Sequence, residues 1–146
     1  MTENLNYNTE NSWCGGGGMT EGDCSVYGRL YTYDAAKAAC PDGWHLPTTA
    51  EFGTLITSAG GPSAGKALKA SIGWDGSDDF AFSALPAGYR HNDGNFGNKG
   101  TRAEFWSSTE EDSDVAYFML LASGDDGVYL FFYDKSFGRS VRCLKD

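Results

Sequence analysis

The stretch VAYFMLLASGDDGVYLFFY, Val115 to Tyr133, is two apolar runs joined by a turn. A strand alternates its side chains between two faces, so a half-buried strand alternates apolar and polar residues. Neither VAYFMLLA nor VYLFFY (Val128–Tyr133) does so. Such a run is either a central strand, dry on both faces, or a strand that keeps one face for a partner. SGDDG (Ser123–Gly127) supplies the hairpin turn between them. Strict alternation places Tyr117, Met119, Leu121, Val128, Leu130 and Phe132 inward. It leaves Phe118, Leu120, Ala122, Tyr129, Phe131 and Tyr133 outward. The expected outward patch is Phe118, Leu120, Tyr129, Phe131 and Tyr133, bordered by Asp125, Asp126, Asp134 and Lys135. A rigid aromatic cluster with a polar rim buries much area at little cost in side-chain entropy, which suits protein interfaces and sugar-stacking platforms. The competing expectation is that irregular chain folds over this face and makes it core.

Outward from the hairpin, EFWSST (Glu104–Thr109) before it and RSVRCL (Arg139–Leu144) after it read as further strands of an antiparallel meander. YTYDAAKAAC (Tyr31–Cys40) is an Ala-rich short helix starting near Thr32 or Tyr33 and stopped by Pro41 and Gly43. In PTTAEFGTLITSAGG (Pro47–Gly61), Thr48 and Glu51 form a capping box, and Phe52, Leu55 and Ile56 share one helical face. From Pro62 to Arg102 the pattern breaks into short pieces, with one strand expected at Phe80–Ala84. These elements predict an α+β class: two short helices, a long irregular middle and a small antiparallel sheet.

The 146 residues, 40% hydrophobic and 14% aromatic, suit a single domain over residues 1–146. The formal charge of −9 and the scattering of the 11 basic residues argue against nucleic acid or an anionic membrane as partner. No apolar run approaches the roughly 20 residues that span a bilayer. The opening MTENLNYNTE reads as a domain edge, with any export signal trimmed from ahead of it.

Cys14, Cys24, Cys40 and Cys143 are an even number without a CxxC pair, a pattern better suited to two disulfides than to zinc. Three pairings exist. Cys14 and Cys24 flank a glycine-rich loop, and Cys40 ends a helix while Cys143 lies in the last strand, which favours 14–24 and 40–143. Two bridges imply an oxidising compartment, at the cell surface or beyond it. CGGGG (Cys14–Gly18) reads as a loop pinned at its ends or as an anion-binding nest of amides.

Several motifs carry a resemblance: ENLNY (Glu3–Tyr7), SWC (Ser12–Cys14), YGRLYT (Tyr27–Thr32), AAKAACPDGWHLP (Ala35–Pro47), FSALPAGYR (Phe82–Arg90), FWSST (Phe105–Thr109) and SVRCLKD (Ser140–Asp146). In this order they resemble the Fibrobacter succinogenes major paralogous domain over nearly the whole chain. The resemblance implies a C-type lectin-like fold in exported, multi-copy proteins of Bacteroidetes and Fibrobacter relatives, with no settled biochemical role. The chain is also similar to the variable proteins of diversity-generating retroelements, which display ligand-binding residues on their closing strands. The corresponding segment here is Ala116–Cys143. It departs from the family's more polar usage by carrying Phe, Leu and Tyr.

Other constellations are weaker. Asp75, Asp78 and Asp79 in WDGSDD could offer oxygen ligands to calcium, but they lack an EF-hand register, and turn chemistry explains them better. The calcium-and-sugar motifs of animal lectins are absent from the sequence. STEEDSD (Ser108–Asp114) reads as a solvated acidic loop ahead of a cation or basic-partner site. His45 in GWHLP reads as a structural residue, and no nucleophile elbow accompanies His91. Trp13, Trp44, Trp74 and Trp106 read as core or loop anchors.

The expected function is an exported, non-enzymatic, cofactor-free ligand-binding or adhesion module. Its expected site is Phe118, Leu120, Tyr129, Phe131, Tyr133 and Asp134, and its ligand a protein ahead of a glycan. The alternatives are a structural or assembly domain without its own ligand, and an enzyme of the sulfatase-modifying type, which would need a reactive cysteine. The same apolar patch could equally make a homo-oligomer.

Overall fold

The computed structural model describes residues 1–14 and 21–146. The stretch from Gly15 to Gly18, with the loop or nest expected there, lies outside the described residues. In chain order the elements are β1 (Ser12–Cys14), α1 (Glu21–Tyr27), β2 (Arg29–Tyr31), α2 (Tyr33–Ala39), β3 (Trp44–His45), α3 (Thr49–Ser58) and α4 (Gly65–Leu68). They continue with β4 (Tyr89–Arg90), β5 (Phe96–Gly97), β6 (Arg102–Glu110), β7 (Val115–Ala122), β8 (Tyr129–Asp134) and β9 (Leu144–Lys145). Few short helices and several small antiparallel sheets make this an α+β chain.

The largest sheet has the order β6-β7-β8, all antiparallel, and β7 is its central strand. This answers the apolar run of β7. One face carries Trp106, Ala116, Phe118 and Leu120 into a core with Tyr31, Tyr33, Ala36, Ala39 and Val141. The other carries Phe105, Met119, Leu121 and Val128 into a second core with Phe52, Leu68 and Ala84. The central strand is dry on both sides because α2 contributes to the first core and α3 to the second. Trp106 is fully buried, and its Nε1 donates to the Tyr31 carbonyl at 2.8 Å, so the largest core side chain leaves no polar atom unpaired.

The expected helices are present as α2 and α3, and a capping box sets the start of α3. Thr48 Oγ1 accepts from Glu51 N at 3.2 Å, and Glu51 Oε2 accepts from Thr48 N at 2.8 Å, completing the capping box of α3. Thr32 is the N-cap of α2, which ends at Cys40 ahead of Pro41. Two helices were not expected, nor were the short strands β1, β2, β3 and β5. α1 and the single-turn α4 are too short to show a helical period.

The strand expected at Phe80–Ala84 is absent. Ala81 and Ser83 hold φ near +52°, left-handed backbone that no strand accommodates, and only Ala84 makes a bridge, to Lys69. Local polar bonds impose this path: Asp78 accepts from Ser83 N at 2.7 Å and Ser83 Oγ at 2.6 Å. The Arg142 guanidinium donates to the Phe82 carbonyl, to that of Ser83 at 3.0 Å and to Asn4 Oδ1 at 2.7 Å, and burial brings its pKa down to about 10. The strand expected at Arg139–Leu144 is likewise only partly formed. Arg139 and Ser140 make single bridges to Tyr31 and Phe105, and β9 begins at Leu144, paired with β3.

Gly76 shows why the middle is irregular. A Cβ there would meet the Lys69 carbonyl oxygen, so only glycine lets these backbones approach. Lys69 itself is buried, with Nζ donating to the carbonyls of Ala122 at 3.0 Å and Asp125 at 3.1 Å and pairing with Asp75 at 3.1 Å. This lysine ties the irregular segment to the β7–β8 turn.

Both disulfides join the expected partners, Cys14 to Cys24 and Cys40 to Cys143, and leave no free cysteine. Among the described residues no helix is long and apolar enough to cross a membrane.

Candidate binding face

β8 is an edge strand: β7 lies on one side, and among the described residues no strand pairs with the other. Tyr129 is 38% exposed, Phe131 48%, Phe132 50% and Tyr133 52%. Four of the nine large exposed apolar side chains among the described residues therefore stand on one strand of six. Isolated exposed apolar residues mean little, but a contiguous set on an unpaired edge is a docking or aggregation surface.

The register puts Leu120 opposite Tyr129, Phe118 opposite Phe131 and Ala116 opposite Tyr133, so the expected patch does share one face. It does not share exposure. Phe118 is 6% and Leu120 9% exposed, because both belong to the core beneath α2, and the Arg139 guanidinium lies 3.9 Å from the Phe118 ring centre. These two residues leave the candidate surface. Phe132, expected inward, does lie on the opposite face, opposite Tyr117, yet is exposed there. At the sheet edge its ring meets Tyr117 edge-on at 5.4 Å with half its surface in solvent.

The remaining rings are held in place. Tyr129 stacks on Phe131 with centres 5.7 Å apart, and Tyr133 packs edge-on against Phe137 at 4.8 Å. The polar rim is ordered by its own bonds. Asp125 accepts from Gly127 N at 2.7 Å and from Tyr129 Oη at 3.0 Å, which holds its carboxyl below and the Tyr129 phenol above their ordinary ranges. Asp134 accepts from Ser136 Oγ and N, so it shapes the turn after β8. Lys135 donates to the carbonyls of Asp112 and Ser113 and pairs with Glu110. The acidic loop is thus stapled to the end of β8.

The calcium candidates are not brought together. Asp75 serves Lys69 and Gly124 N, Asp78 serves Ser83, and Asp79 accepts from Ser77 Oγ. Among the described residues no group of three His, Cys, Asp or Glu side chains could hold a metal.

His45 bridges two carboxylates, with Nδ1 2.6 Å from Asp146 and Nε2 2.9 Å from Glu51. Hydrogen bonds to Asp146 and then Glu51 raise its pKa. An unfolded histidine titrates near ~6.5, so this contribution is full below that pH and is lost as pH rises through the higher folded value. His45→Gln is expected to melt below the parent at about pH 6 and to converge with it by about pH 9, read as the difference in Tm across pH.

Beside β8 lies a feature that alternation could not show. Arg139 and Glu104 form a buried ion pair, Nε to Oε2 at 2.9 Å, each 3% exposed. They lie at a cleft of about 250 Å³ that Tyr133 and Phe137 help to wall. The only sequence signal was a glutamate inside the apolar run AEFW and an arginine in the segment that runs along the edge of its strand.

The family described as the Fibrobacter succinogenes major domain matches residues 1–145. No curated protein and no solved structure matches the chain.

Proposed function

The chain belongs to the Fibrobacter succinogenes major domain family, and from that premise we propose that it is an exported, non-enzymatic display module that binds a protein ligand along β8. The observation that carries this reading is the row of exposed aromatics on an unpaired edge strand. Aromatic anchors on a rigid element supply binding energy at low entropic cost. The free edge adds a regular row of backbone donors and acceptors that an extended polypeptide can match as a strand ladder, which favours a protein ligand over a glycan. Two disulfides fit an oxidising, extracellular setting. With all four cysteines bridged, no thiol is left for sulfatase-modifying chemistry. A C-type lectin-like fold is the architecture we assign. Its support is the Cys40–Cys143 bridge from the end of α2 to the closing segment, together with the β3–β9 pairing that joins an early strand to the last.

Hydroxyl-radical footprinting of Tyr129, Phe131, Phe132 and Tyr133 over a concentration series tests the reading. Labelling that persists as concentration rises is the expected result for a face that awaits a foreign ligand. Labelling that fades with concentration replaces it with an assembly module, the second reading that an open edge strand favours. Absence of labelling overturns both. The double variant Phe131→Ser/Tyr133→Ser is expected to cost about 2–3 kcal/mol in urea denaturation, because each half-buried ring loses about half the transfer energy of a fully buried one. A loss of about 6 kcal/mol or more would place both rings in the core.

A further inference from the structure

The cleft between β4, β8 and the segment after it was not part of the β8 surface, and it shares only Tyr133 with it. Three observations converge there. First, Arg139 is buried, and Glu104 engages it through Nε, while Nη1 has no hydrogen-bond partner among the described residues. The guanidinium lies near Phe118 at 3.9 Å and Trp106 at 4.4 Å, but ring faces offer no lone pair to an N–H in the guanidinium plane. A buried, unpaired donor on a charged group is costly and calls for an acceptor.

Second, the space beside it is built. The cleft of about 250 Å³ is lined by Arg139, Phe118, Tyr89, His91, Tyr133 and Phe137. Phe137 is fixed by edge-on contacts with His91 at 4.6 Å and Tyr133 at 4.8 Å. This volume suits one planar ring or short side chain. Third, the local charge opposes that of the chain. Arg139 and Arg102 line the cleft against Glu104, one positive charge in excess within a molecule of net charge −9.

We propose that this cleft binds a carboxylate-bearing group, its oxygen accepting from the Arg139 guanidinium and its apolar part lying against Phe137 and Tyr133. A carboxylate is the acceptor that best matches a guanidinium edge, and the excess positive charge favours it over a neutral carbonyl. The aromatic walls select a flat or apolar carrier.

The test uses the whole chain with its arginine side chains isotope-labelled, titrated by NMR with phenylacetate and, separately, its neutral isostere phenylacetamide. Phenylacetate is expected to give saturable shifts at Arg139 Nε and at the Phe137 ring, and phenylacetamide to bind about tenfold more weakly. Arg102→Gln, an exposed substitution that spares the buried pair, is expected to weaken phenylacetate severalfold and leave phenylacetamide unchanged. No saturable shift at Arg139, or equal affinity for the two probes, overturns the proposal. The β8 footprint is an independent readout. Labelled β8 aromatics with a silent Arg139 sink this inference alone, and a responsive Arg139 with unlabelled β8 sinks only the reading of the strand.

Discussion

Arg139→Met is expected to destabilise the protein by about 3–5 kcal/mol, because it leaves the Glu104 carboxylate buried without its cation. The pair is not itself a large source of stability. Burial already pushes Glu104 above its ordinary range and Arg139 below its own, with the attraction between them only the second influence on each. Replacing both partners, Glu104→Leu with Arg139→Met, should therefore recover most of the loss. The single variant should also depend on pH in a defined direction. With its partner gone, Glu104 has a folded pKa further above its unfolded value, so the folded state favours the protonated acid. The penalty is full above the folded pKa and shrinks as pH falls toward the ordinary carboxylate range. Urea denaturation of the parent, of Arg139→Met and Glu104→Leu alone and of the double variant at about pH 7 and about pH 5 measures both effects. A double variant whose cost equals the sum of the two single costs would show that the two residues are not coupled.

The hairpin at the centre of this molecule was legible because two apolar runs and SGDDG admit one antiparallel arrangement, and alternation correctly grouped Phe118, Leu120, Tyr129, Phe131 and Tyr133 on one face. Alternation does not say what lies over that face. The segment after β8 brings Phe137 and Arg139 across it, and α2 covers the rest, so Phe118 and Leu120 became core while the β8 rings stayed wet. Phe132 was misread for the same reason: at a sheet edge the inner face has too little opposite it to bury a ring.

The cap of α3 was readable from Thr48 and Glu51 because capping is local. Phe80–Ala84 was not readable, since its path depends on Arg142, some sixty residues away, and on an Asp78 carboxylate bonded to Ser83. The same limit applies to the cleft. Glu104 and Arg139 are thirty-five positions apart, and nothing in their local spacing announces a buried pair.

Replacing Cys40 and Cys143 by Ala is expected to cost about 4–5 kcal/mol, against roughly 3 for Cys14 and Cys24, if each bridge acts by limiting the unfolded chain. The separations of 103 and 10 residues set this order, since closing the longer loop removes more unfolded conformations. The native context reinforces it. Cys143 is buried in the first core beside Val141, Tyr31 and Trp106, and β9 follows it to pair with β3. Losing that bridge frees the segment whose backbone meets Leu5, Tyr31 and Trp106 and whose Arg142 organises Phe82 and Ser83. Tm and urea midpoints of the two double variants, compared with the parent under non-reducing conditions, measure the difference. An equal or larger loss from the Cys14–Cys24 variant would mean that native-state packing near β1, rather than loop length, governs the stability supplied by these bridges.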